Sequence, residues 1–243
     1  MQKLKPQIIS MQQNNLGDKN FSSDFTPNTP NYAAFFTNSF GLPEEWHIGH
    51  LPHRNKEGII QFITFRLADS LPQDVLKTIE LEIKTLSTSE KDNAKRKKYQ
   101  KFLDRGNGSC ALKHPKMAQT MCNALKHHDG DKYNLLAWSI MPNHVHVLIK
   151  ANSNISRILQ SWKSFTGRWA VKNNEKYNLG LPKDATAFWM PDYWDRFIRD
   201  AKHFNNTVKY ILDNPEKAKL PKESVAYRYT ACAWVVEAPA SSR

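Results

Sequence analysis

The sequence predicts an α+β fold: a ferredoxin-like antiparallel sheet with helices packed on it and an extra helix near the C-terminal end. Three observations predict it. β-Branched and aromatic runs alternate with stretches of helical periodicity. Two such runs, "YNLLAWSIM" and "HVHVLIK", adjoin across two turn residues, Pro142 and Asn143. The resulting order, β-α-(α)-β-β-α-β-α without an internal repeat, is that of a split βαβ unit with one added helix.

Each element has its own signal. Residues 1–45 are rich in Asn, Gln, Ser, Thr and Pro, the composition of a disordered or loosely attached extension. "WHIGHLPHRN" then mixes proline and glycine with aromatics and cations, which argues for an irregular segment. Residues 59–67 read as the first strand. Asp69 or Ser70 can cap a helix starting near Leu71, with Leu76, Ile79, Ile83 and Leu86 at helical spacing along it. A lysine-rich continuation, "EKDNAKRKKYQKFLDRGNG", closes on glycines. Met117, Met121 and Leu125 mark a second helix over residues 116–128, ended by "DG". After the paired strands, Ile155, Ile158, Leu159, Trp162, Phe165 and Trp169 form one face of a long helix. Residues 193–198 read as a short strand. Asp200 precedes the last convincing helix, residues 201–214, which "NPEKAKLP" terminates. A folded unit over residues 46–220 and a docked or flexible tail over 221–243 follow from this reading.

Lys and Arg outnumber Asp and Glu by 35 to 23, for a formal net charge of +12 and a pI near 9.5. Such a surplus favours a polyanionic partner, and nucleic acid is the commonest. No apolar run is long enough to span a bilayer, so no membrane role is expected. The N-terminus lacks the apolar core of a secretory signal, and three cysteines without a CxxC pair suggest neither a disulfide framework nor a zinc knuckle. The expectation is a reduced, cytoplasmic protein.

The chemistry concentrates at "AWSIMPNHVHVLIK". In a strand, residues two apart share a face, so His144 and His146 point one way while Val145 and Val147 point the other. Two neutral imidazoles can bind one divalent ion, but they need at least one further ligand. Tyr210 and Asn214 stand one helical turn apart in "KYILDNP" and share a helix face that could meet the histidines. By spacing alone the bland alternative stays open: histidines on a wet strand face, a packed tyrosine, and an asparagine that ends its helix before Pro215.

Four blocks, "AWSIMPNHVHVLI", "SWKSFTGRWA", "FWMPDYWDRFIRDAKHF" and "YILDNPEKAKL", occur in an order that resembles the REP-associated tyrosine transposases, single-tyrosine members of the HUH class. The likeness runs from about His50 to Leu220. It implies cleavage and rejoining of single-stranded DNA at repetitive palindromic hairpins through a covalent 5′-phosphotyrosine, with Mg²⁺ or Mn²⁺ as cofactor. Carried over by position, His144 and His146 match the histidine pair, Tyr210 the nucleophile and Asn214 the polar ligand one turn on. Lys219 stands where such sequences commonly carry glycine.

Several further residues are candidate DNA contacts. Trp46, His50, His53 and Arg54 mix aromatic and cationic groups ahead of the first strand. Arg157, Lys163 and Arg168 lie on or beside the polar face of the long helix, and Arg196 and Arg199 flank the end of the last strand. "KRKKYQK" could track a hairpin stem. Two other readings remain: a hairpin-binding protein without turnover, and an HUH initiator that nicks replicating or conjugating DNA. Since one tyrosine is in place, a full strand exchange would need two sites, from a homodimer or from successive events.

Overall fold

The computed structural model describes residues 45–48, 51–54, 58–85, 87–183, 185 and 187–232, and for 45–48, 51–54, 88–90, 92 and 93 the backbone only. The predicted N-terminal extension, except Glu45, lies outside these residues, as do His50 and residues 233–243 of the tail. The segment expected to be irregular forms a short hairpin instead, β1 (Glu45–Ile48) paired with β2 (Leu51–Arg54), with Trp46 opposite His53. Pro52 occupies a two-stranded ribbon, where an edge without a ladder bond is tolerated.

The main sheet has five antiparallel strands in the order β6-β3-β5-β4-β7. These are β3 (Ile60–Arg66), β4 (Tyr133–Ile140), β5 (His144–Ala151), β6 (Trp194–Phe197) and β7 (Thr230–Cys232). The first four reproduce the ferredoxin-like arrangement, and β5 with its two histidines is the central strand. Pro142 and Asn143 close the β4–β5 hairpin as expected, but this turn is buried rather than wet. Asn143 accepts from the Leu67 N–H at 2.8 Å through its carbonyl and donates Nδ2 to the Asn107 carbonyl at 3.0 Å. The sheet's far edge is finished by β7, so the start of the tail is docked: Thr230 pairs with Ser139.

Helices α1 (Gln73–Ile83) and α2 (Thr88–Leu103) follow β3, and α3 (Pro115–His127) precedes β4. Helix α4 (Ile155–Tyr177) follows β5, and α5 (Ala201–Leu212) follows β6. Two single turns, α6 (Asn214–Lys217) and α7 (Val225–Arg228), lead to β7. Neither Asp69 nor Ser70 caps α1, whose N-cap Pro72 has no side-chain bond. Asp69 accepts from the Ser109 N–H at 2.7 Å, and Ser70 donates to the Leu67 carbonyl at 2.7 Å. By contrast Asp200 caps α5 as its position predicts, accepting from the His203 N–H at 2.7 Å.

The sheet sorts its neighbours by face. Ile63 and Phe65 of β3 and Val145, Val147 and Ile149 of β5 point to one side, where α3 and α4 bury Met117, Met121, Ile158 and Trp162 against them. Burial of this many large side chains supplies most of the stabilisation, at roughly 1.5–3 kcal/mol for each. The other side is thinner: Ile60, Leu136, Ala137 and Leu148 meet Phe204, Val208 and Ile211 of α5. An irregularity between Leu135 and Ala137 lets two consecutive β4 residues, Leu136 and Ala137, serve the same layer. Phe165, expected in the α4 stripe, is 51% exposed, because the buried stripe runs from Trp162 to Thr166 and Ala170 and leaves Phe165 to one side. A third cluster, Leu71, Ile79, Tyr99 and Leu103, joins α1 to α2.

Candidate functional site

Strand alternation sends His144 and His146 to the α5 side of the sheet, with Thr64 and Arg66 of β3 directly opposite them. Both imidazoles are buried, at 0% and 1% exposure. Their Nε2 atoms converge to 3.1 Å. His144 Nδ1 sits 2.8 Å from Asn143 Oδ1, an acceptor, so Nδ1 carries the proton and Nε2 presents its lone pair. His146 Nδ1 sits 2.8 Å from the Thr64 hydroxyl, which can either donate or accept. Without an ion, Thr64 donates and His146 Nε2–H donates to His144. If the hydroxyl accepts instead, both Nε2 lone pairs face one point. Burial alone pushes His144 down to about 3, and burial with its neighbour holds His146 well below the ordinary histidine range. Both are therefore neutral rather than cationic at neutral pH.

Helix α5 brings the tyrosine to this pair. The Tyr210 ring lies edge-on to His146, centroids 5.4 Å apart at 74°, and edge-on to Phe62 at 5.8 Å. Phe62 in turn stacks on His146 at 5.5 Å. Burial pushes the Tyr210 hydroxyl up to about 12, opposed by hydrogen bonding from Asn214. Asn214 itself is buried, 1% exposed, and donates Nδ2 to the Tyr210 carbonyl at 3.0 Å, an amide engaged with its own helix. A cavity of about 600 Å³ opens beside His146 and Tyr210, edged by Arg96, Lys97, Lys101 and Arg196.

The residues present fit a divalent ion as far as two nitrogens go. Two ligands at right angles, each about 2.1 Å from an ion, stand about 3.0 Å apart, close to the observed separation of the imidazole nitrogens. Among the described residues no three His, Cys, Asp or Glu side chains gather into a metal site. Further ligands would be amide, hydroxyl or phosphate oxygens. One amide is at hand: Gln100 of α2 brings Nε2 to 3.4 Å from His144 Nε2 while donating to Asp104 Oδ1 at 2.6 Å. A half-turn of that amide would present its oxygen.

Gln100, Asp104 and Thr64 were not singled out from the sequence. The only signal was an i,i+4 polar pair inside "YQKFLD", which is commonplace on a solvated helix. The predicted basic residues divide. Arg196 lines the cavity, and Arg199 lies close enough to depress its pKa further after burial. Arg157 and Arg168 are exposed on α4, which covers the opposite face of the sheet from the histidines. Lys163 is a correction. Its ammonium donates to the carbonyls of Met190, Pro191 and Asp192 at 2.9, 2.8 and 3.2 Å, so its three protons are spent inside the protein. Trp46, His53 and Arg54 lie on the β1–β2 hairpin, of whose side chains nothing is described, and His50 lies outside the described residues. Tyr193 is 7% exposed in the α4-side core, with its hydroxyl 3.3 Å from Ser156 Oγ.

Residues 113–214, which run from α3 through Asn214, match the family model described as "Transposase IS200 like". The REP-associated tyrosine transposase of Escherichia coli (strain K12) is 28% identical over 86 residues, 35% of this chain and 46% of that protein. Over this stretch the chain is similar to the REP-associated tyrosine transposases. A putative member from Haemophilus influenzae is 30% identical over 90 residues, 35% of this chain and 51% of that one. The chain thus spans about half the length of the curated proteins it matches. A solved REP-associated tyrosine transposase bound to a REP hairpin aligns with a TM-score of 0.40 at 14% identity, over 72% of this chain and 77% of that one. Among the described residues no helix is long and apolar enough to cross a membrane.

Proposed function

We propose that the chain cleaves and rejoins single-stranded DNA at palindromic hairpins by transesterification, with Tyr210 as the nucleophile. The observation that carries this reading is the seating of Tyr210 against His146, 5.4 Å between ring centroids, from a helix that follows it by some sixty residues. In the reaction the phenol oxygen bonds to phosphorus, the bond from phosphorus to the 3′ oxygen breaks, and that oxygen leaves as a 3′-hydroxyl. The covalent 5′-phosphotyrosine retains the ester, so the strand can be rejoined by the reverse attack.

The chain's own groups fit these tasks. His144 and His146, neutral by burial, and one or more amide oxygens from Asn214 or Gln100 would hold Mg²⁺ or Mn²⁺. What such an ion supplies when bound is charge neutralisation at a non-bridging phosphate oxygen. Thr64 and Asn143 hold the two imidazoles in orientation. Because the phenol is pushed up to about 12, its proton has to leave as attack occurs. Asp104 lines the same cavity, acts electrostatically on Tyr210, and has a carboxyl pushed up by burial, the right direction for a proton acceptor near neutrality. Arg96, Lys97, Lys101 and Arg196 would meet the backbone phosphates, and Arg199 the strand beyond. The names of the similar curated proteins support hairpin DNA as the substrate. With one tyrosine per chain, complete exchange draws on two copies or on two successive events.

Incubation with Mn²⁺ and a labelled hairpin oligonucleotide is expected to yield a protein–DNA adduct that resists denaturant. Tyr210→Phe is expected to abolish the adduct while leaving hairpin binding intact. An adduct that persists in Tyr210→Phe would remove Tyr210 from its role; binding without any adduct from the unaltered chain would favour a binding protein without turnover. Asp104→Asn is expected to slow cleavage by about 10²–10⁴ and to remove the acidic limb of its pH profile. A slowed rate with an unchanged profile would reduce Asp104 to a structural part.

A further inference from the structure

On the other side of α2 from the 600 Å³ cavity lies a second one, of about 400 Å³. Arg66 lines it and is 4% exposed. Both of its hydrogen bonds leave from Nη1, to the Leu67 carbonyl at 3.3 Å and to Ser70 Oγ at 3.2 Å. Among the described residues Nε and Nη2 meet no acceptor and no carboxylate forms an ion pair with the guanidinium. A buried guanidinium with an unfilled fork is costly to keep, and structural arginines on a sheet are normally paired. Asp192 and Asp69 are near enough to favour its charged form without touching it.

The rest of the lining describes what would fill that fork. Tyr99 and Trp194, packed on each other with centroids 5.1 Å apart, form one aromatic wall, and Glu80 and Asp192 supply carboxylates beside Lys95. A phosphate would share the cavity with two carboxylates of its own sign and gain nothing from the rings. A nucleobase fits both, since its faces are apolar and its edges carry donors and acceptors. Guanine is the base with two adjacent acceptors, O6 and N7, for an arginine fork, and it also has N–H groups for a carboxylate. The location agrees. Arg66 pairs with His144 across β3 and β5 and lies two residues, about 7 Å, from Thr64. Trp194 pairs with Thr64 and lines both cavities.

We propose that this cavity takes one unstacked guanine of the substrate strand, from the nucleotide adjoining the phosphate held at His144 and His146, read by Nε and Nη2 of Arg66. The proposal rests on the single-strand reading above. It makes Arg66 the residue that sets base preference beside the cleavage point.

The test uses full-length protein carrying Tyr210→Phe, so that binding is read without cleavage. A pool of hairpin oligonucleotides with randomised single-stranded flanks is bound and the captured strands are sequenced. One flank position is expected to be fixed as guanine, and Arg66→Met in the same background is expected to erase that preference while the pool is still retained. Replacing the selected guanine by 7-deazaguanine, which lacks the N7 acceptor, is expected to weaken binding about tenfold. This second arm needs no altered Arg66 and so survives any folding defect of Arg66→Met. Retention of the pool with no fixed guanine, a guanine preference that persists without Arg66, or equal affinity for 7-deazaguanine would each overturn the proposal and leave the proposed function standing. Failure to retain any single strand would overturn both.

Discussion

Lys219 is the residue where local sequence and local backbone disagree most openly. It has φ of +54°, the left-handed region that glycine enters without a Cβ penalty. The reason lies just before it: Lys219 N–H bonds the Glu216 carbonyl at 2.8 Å and Leu220 N–H bonds the Pro215 carbonyl at 3.0 Å, the paired bonds that end a helix in a left-handed residue. Glycine at this position in resembling sequences therefore has a backbone explanation. Lys219→Gly is expected to raise stability by about 0.5–1 kcal/mol, read as a higher denaturation midpoint with an unchanged slope. A lower midpoint would mean the lysine side chain contributes more than its strain costs. No catalytic group changes in either case. Asn178 ends α4 in the same conformation at φ of +48°, with an asparagine that tolerates it better.

At the scale of elements, α2 contributes more to the site than its composition advertised. Its sequence is lysine-rich with no strong apolar stripe, a pattern that more often just faces water than lines a site. Tyr99 and Leu103 nevertheless anchor it to α1, and this turns Arg96, Lys97, Gln100 and Lys101 toward the cavity beside His146. Replacing Arg96, Lys97 and Lys101 by Ala is expected to lower the slope of log affinity against log salt by about 2, at about 0.7 per phosphate on a single strand. Arg157 and Arg168 on α4 serve as the contrast, since the whole sheet separates them from the histidines. Their replacement by Ala is expected to leave that slope unaltered. Equal losses from the two helices would mean that DNA wraps both faces, against the arrangement proposed here.

For the whole molecule, the histidine pair links the site to acid stability. An unfolded histidine titrates near 6.5, whereas burial holds folded His144 near 3. Between those values the unfolded chain binds the extra proton, so stability is full above pH 6.5 and falls as the pH drops toward 3. At pH 5, without divalent ions, the loss from His144 is about 2 kcal/mol, from about 1.4 kcal/mol per pH unit. Urea unfolding at pH 7 and pH 5 in EDTA reads it directly. The drop is expected to shrink in His144→Asn, and an undiminished drop in that variant would place the acid sensitivity elsewhere.

Much of the site was legible along the chain because it depends on period. A strand period of two puts His144 and His146 on one face, and a helical period places Tyr210 and Asn214 one above the other. Asp200 as a cap and Pro142–Asn143 as a turn were equally local, since each acts on backbone within three residues. What the chain by itself could not decide was which surface each element meets. That Lys163 would spend its ammonium on the 190–192 carbonyls, or that α4 would carry Arg157 and Arg168 to the wrong side of the sheet, depends on partners far away in sequence. The same holds for Gln100, Asp104 and Arg66, whose surroundings come from α2 folding back across β3. Covalent geometry sets the phase of a side chain within its own element. Burial of apolar surface between elements determines what that side chain faces, and only the folded chain contains that information.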